Sequence, residues 1–171
     1  MEFKKLIDRK NELDRITTSL KREDTQFVVV YGRRRIGKST LLKHIVNAKE
    51  NAIYFLSDSS SETIQRAAFA KSVAAVIDGF DKVIYPDWET LFRSINHQLT
   101  YRTVICMDEF PYLVKSCEAL PSIIQKLLNE KNLKFDLILC GSSQQLMHGY
   151  VLNKQSPLYG LANEIIKMQP I

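Results

Sequence analysis

A chain of 171 residues, 45% hydrophobic and 25% charged with 6 glycines and 5 prolines, has the composition of one globular domain rather than of a disordered or fibrous chain. Its formal charge is +5 and no apolar run approaches a signal-peptide core or a membrane span. Cys106, Cys117 and Cys140 are odd in number and lack C-x-x-C spacing, which argues against a disulfide framework or a zinc site and for a reducing cytoplasm.

Along the chain, apolar runs bounded by polar turns alternate with amphipathic stretches. Asn11 to Lys21 places Leu13, Ile16 and Leu20 on one helical face, and Gln26 to Tyr31, with its run Phe27-Val28-Val29-Val30-Tyr31, is the clearest of five expected strands. Helices are expected over Lys38 to Lys49, over Ser61 to Ile77 with Ile64, Ala67, Ala68 and Val73 inward, from Trp88 to about His97 with Asp87 as cap, and from Pro121. The remaining strands are Ala52 to Leu56, Arg102 to Met107, Phe135 to Cys140 and Asn163 to Met168. Strand and helix in alternation predict an α/β fold, a parallel sheet with helices on both faces.

Gly32-Arg33-Arg34-Arg35-Ile36-Gly37-Lys38-Ser39 matches G-x-x-x-x-G-K-[ST], followed by Thr40. It lies directly after a buried strand and opens a helix, as a phosphate-binding P-loop (Walker A) requires. A loop wrapped around a triphosphate turns its N–H groups inward, which Gly32 and Gly37 permit without a Cβ. Lys38 would reach the β- and γ-phosphates, Ser39 would offer its hydroxyl to Mg²⁺, and the helix dipole would add to the field. Val104-Ile105-Cys106-Met107-Asp108-Glu109 supplies the acidic strand end (Walker B). Asp108 would hold the hydrated metal and Glu109 would activate a water. Ser142 and Ser143, after the strand that ends in Cys140, are either contacts to the γ-phosphate or water, or a helix cap before Gln144. Phe110-Pro111-Tyr112 reads as a packing turn, and His44, His97, His148 and Trp88 as packing or surface residues. Lys4, Lys5, Arg9 and Lys10, then Arg33 to Arg35, are solvated faces or contacts to a partner or DNA.

Together these residues resemble the ATPases often called the archaeal ATPase family, relatives of AAA+ and STAND P-loop proteins. The likeness runs from Phe3, Asp8-Arg9 and Glu12-Leu13 through the P-loop, Met107-Asp108-Glu109-Phe110-Pro111-Tyr112-Leu113 and Leu139-Cys140-Gly141-Ser142-Ser143 to Ser156-Pro157-Leu158-Tyr159-Gly160. The resemblance implies a three-layer sheet ordered 5-1-4-3-2, adenine held in part by Asp8 and Arg9, and ATP turnover coupled to a partner or attached domain, with room for a homo-oligomer. The family usually carries arginine after the late Leu-Tyr-Gly, where this chain has Leu161, and usually continues into a helical or winged-helix lid. The expectation is a single ATPase core over residues 1–171 without that lid, hydrolysing ATP slowly in isolation. The alternatives are a nucleotide-dependent switch with little hydrolysis and a small-molecule kinase, whose arginine-rich lid is not evident in the sequence.

Overall fold

The computed structural model describes residues 8–170, so Phe3, Lys4 and Lys5 lie outside the described residues. Helix α1 (Lys10–Leu20) leads into strand β1 (Phe27–Tyr31). Then follow α2 (Lys38–Asn47), β2 (Ala52–Leu56), α3 (Glu62–Val73), α4 (Trp88–Gln98) and β3 (Thr103–Asp108). The chain continues through α5 (Phe110–Ser116), α6 (Leu120–Glu130), β4 (Phe135–Gly141), α7 (Gln144–Met147) and β5 (Glu164–Lys167). The strands form one sheet in the order β2-β3-β4-β1-β5, the expected order read from its other edge, and every pairing is parallel.

Parallel pairing needs a crossover between neighbours, and the crossovers cover both faces of the sheet. On one side Val28, Val30, Val104, Cys106, Ile138 and Cys140 pack with Ile16 and Leu20 of α1 and Leu41, Leu42 and Ile45 of α2. On the other, Val29, Phe55, Ile105, Met107, Leu137 and Leu139 meet α3 to α6. That alternation explains why β1, β3 and β4 are buried at every residue, whereas Leu56 and Ile165 on the edge strands are exposed. Cys106 and Cys140 are free, wholly buried residues of the first core, and burial pushes both thiols up.

Two expectations are corrected. In α3, Ile64, Ala67 and Ala68 face solvent, and Gln65, Phe69, Ala70 and Val73 face inward. Apolar residues surround this helix, so periodicity leaves its face undecided. Phe69 decides it by packing against Phe55, Trp88 and Phe92 at centroid distances of 5.3, 5.6 and 5.9 Å. The segment Phe110-Pro111-Tyr112 is not a turn but the start of α5. Its proline occupies the first helical turn, where a missing N–H costs nothing.

At the amino ends of the strands, Asp136 accepts the Gln26 N–H at 2.7 Å and pairs with Arg102 at 2.5 Å, tying β1, β3 and β4 together. Their carboxyl ends, at the opposite edge, converge on the 32–39 loop, the region where open α/β sheets place ligands.

Candidate functional site

The loop leaves β1 at Gly32, packed so closely that a Cβ there would lie 2.6 Å from the Met168 carbonyl oxygen and 2.7 Å from Ile36 Cδ1. It enters α2 through Gly37, whose φ of 96° is a conformation side-chain-bearing residues rarely adopt. Arg35, with φ of 67°, takes the left-handed region without being glycine. The side chains of Arg33, Arg34 and Arg35 are exposed, and none forms an ion pair among the described residues. The Lys38 ammonium is instead folded back, donating to the Arg33 carbonyl at 2.6 Å, and the residue is 5% exposed.

β3 delivers Asp108, fully buried, beside the start of α2. Its Oδ2 accepts the Ser39 hydroxyl at 2.7 Å and also the hydroxyl of Tyr54 from β2, while Oδ1 accepts the Glu109 N–H at 2.9 Å. Burial first, and the Asp108 carboxylate next, push the Tyr54 phenol well above its usual value, so its hydroxyl remains a donor. Glu109 immediately precedes α5 with φ of 55° and ψ of 44°, a left-handed backbone uncommon in non-glycine residues. The Ser57 hydroxyl spans this corner, 2.6 Å from the Asp108 carbonyl and 2.7 Å from that of Glu109. One Glu109 oxygen accepts the Ser142 hydroxyl.

A cleft is thus lined by Arg34, Arg35, Gly37, Lys38, Ser39, Thr40, Glu109 and Ser142. A second cleft adjoins it across Arg34, Glu109 and Ser142 and reaches Tyr112, Lys115 and Ser143. Ser143 accepts the Leu146 N–H at 3.2 Å, capping α7. Ser143 thus caps a helix, whereas Ser142 bonds Glu109, a contact that neither reading named.

Asp8 is exposed, and Arg9 is buried with both terminal nitrogens bonded, while its Nε has no partner among the described residues. Its guanidinium donates to the Ile36 carbonyl at 2.9 Å and the Gln169 carbonyl at 2.5 Å, strapping the loop to the chain after β5. Arg9→Ala is expected to lower stability by about 2 kcal/mol, or roughly 4–8 °C in a thermal melt, because it strands those carbonyls. An unshifted melt would contradict a clamp. Leu161 lines a cleft with Phe27 and Leu133 at the amino ends of the strands, so a side chain at 161 lies at the far edge of the sheet from this chain's own loop. His44 and His97 are exposed, Trp88 is fully buried, and His148 meets Tyr31 edge-on at 5.5 Å. Sequence reasoning missed Tyr54, Ser57 and the clamp of Arg9. No local pattern marks them, because each acts on residues distant in sequence.

The sequence profile of the ATPase domain found predominantly in Archaea matches residues 6–171. The chain belongs to this ATPase family. An uncharacterized protein of Methanocaldococcus jannaschii is 33% identical over 167 residues, 96% of this chain, and the chain spans 36% of that relative's length. The Aeropyrum pernix ORC1 protein, solved in complex with DNA, superposes with a TM-score of 0.68 at 16% identity, over 95% of this chain and 45% of that one. The ORC2 protein of the same organism, solved with ADPNP and ADP, superposes with a TM-score of 0.62 at 13% identity, over 94% and 47%. These likenesses share a P-loop fold with this ATPase-family domain, which is a nucleotide-binding core. Among the described residues no helix is long and apolar enough to cross a membrane, and no three His, Cys, Asp or Glu side chains gather as a metal site.

Proposed function

We propose that the domain binds ATP with Mg²⁺ in the 32–39 cleft and hydrolyses its terminal phosphate, in service of a partner or further domain. The observation that carries this reading is the position of Glu109, a carboxylate lining the same cleft as Lys38 and Ser39, on a left-handed backbone at the end of β3.

In this reading Lys38 exchanges the Arg33 carbonyl for the β- and γ-phosphate oxygens, and the N–H groups at the start of α2 receive the rest of the phosphate charge. The donor set suits Mg²⁺, a hard cation that favours oxygen ligands and keeps several waters: the Ser39 hydroxyl would bind it directly and Asp108 through water. When bound, Mg²⁺ neutralises phosphate charge as it shifts toward the leaving group. Glu109 takes a proton from the attacking water as the water oxygen bonds to the γ-phosphorus and the bond to ADP breaks. Ser142 occupies one Glu109 oxygen, leaving the other for that water. Arg34, at the junction of the two clefts, supplies positive charge from within the chain, a role that Leu161 at the far edge does not fill.

The bond from Ser142 to Glu109 favours a second reading, a switch that holds ATP with its base restrained. Coupling to a partner or further domain belongs to this reading, and in the Methanocaldococcus jannaschii relative the matched region is 36% of a longer chain. The exposed arginines beside the cleft suit an acidic partner surface or DNA, the ligand of the Aeropyrum pernix ORC1 structure. The deciding experiment is calorimetric titration with ATP, with and without Mg²⁺, alongside phosphate release. Binding with turnover supports hydrolysis and binding without turnover supports the switch; no binding overturns both.

A further inference from the structure

We infer that Tyr54 is a positioning residue of the nucleotide site, acting through Asp108 to set the Mg²⁺ requirement of ATP binding; this rests on the reading of the cleft just given. Its hydroxyl and that of Ser39 converge on the same oxygen of Asp108, and the other oxygen is taken by the Glu109 N–H. The carboxylate is therefore held at both oxygens, and its rotation is fixed.

Tyr54 is itself built in. It pairs in register with Cys106 of β3, and α2 crosses above it, with Lys43 Nζ 5.5 Å from the ring centroid and Ser39 one turn earlier. For the Ser39 oxygen to face a metal, its proton must point away, toward Asp108 Oδ2. A carboxylate locked by Tyr54 keeps that acceptor in place. Without the phenol the carboxylate turns more freely and Ser39 loses its orientation. The opposing effect, a more negative Asp108, reaches the metal only through water and is the weaker of the two.

The test uses Tyr54→Phe, which keeps the ring beneath Lys43 and should melt within a few degrees of the parent. Binding of a fluorescent non-hydrolysable ATP analogue is measured in EDTA and across a Mg²⁺ titration. The expected result is EDTA binding within about twofold of the parent but about 10-fold more Mg²⁺ at half-effect, the low end for loss of one hydrogen bond to a charged group. In an Asp108→Asn background the same substitution should add less than about twofold, since residues acting through one another are not additive. An unchanged Mg²⁺ requirement, an equal loss in EDTA, or full additivity with Asp108→Asn overturns the inference. A parent chain whose binding ignores Mg²⁺ removes the underlying reading as well, and that outcome is seen in the parent alone.

Discussion

Glu109→Gln should bind ATP within about threefold of the parent while releasing phosphate at least 100-fold more slowly, the scale of a lost general base. Glutamine keeps the size of the side chain and an oxygen that can accept the Ser142 hydroxyl, so the left-handed corner at the start of α5 has no reason to change. What disappears is the capacity to take a proton. Removing a negative charge beside a triphosphate also favours binding slightly, so any change in affinity should be toward tighter binding. Phosphate release in a single-turnover assay, beside equilibrium binding, separates the two effects. Undiminished release would place the base elsewhere.

Lys38→Ala should weaken ATP binding by at least about 100-fold, the consequence of losing charge-assisted bonds to two phosphates, without lowering stability. The second half follows from the ligand-free geometry. The residue is 5% exposed and its ammonium donates to the Arg33 carbonyl, a neutral acceptor, with no ion pair among the described residues, so the ligand-free fold gains little from the charge. Alanine therefore gives up little and is the best helix former at the first residue of α2. A melting temperature equal to or above the parent's, with binding lost, is the expected pair of results. Retained binding would mean that the cleft does not hold phosphates as argued, and a large drop in stability would mean that the lysine supports the loop.

Most of the fold was legible because buried parallel strands are written as unbroken apolar runs. Phe27 to Tyr31 and Ala52 to Leu56 could be bounded to within a residue by that signal alone. The loop and the acidic strand end were legible for a different reason: phosphate chemistry demands particular residues at fixed spacing. What escaped was settled by tertiary contact. Helix α5 is 7 residues long, too short for periodicity to speak, and its proline suits a turn as well as a helix start. The face of α3 was chosen by an aromatic cluster contributed from β2 and α4. Tyr54, Ser57 and Arg9 are ordinary residues of a strand, a loop and a helix start, and only the crossing of α2 over β2, the corner after β3 and the return of the chain after β5 bring them to the site.

The strand order has a consequence for how the molecule is assembled. β1 lies between β4 and β5, so Val30 waits for Cys140 on one side and Ile166 on the other. Chain emerging from a ribosome can pair β2 with β3 early, but β1 has no neighbour until most of the sequence has been made. A nascent chain cut off before β4 would leave an apolar strand with both edges open, a species prone to aggregation. The 32–39 loop, hung from the end of that strand, is among the last parts of the molecule to take shape.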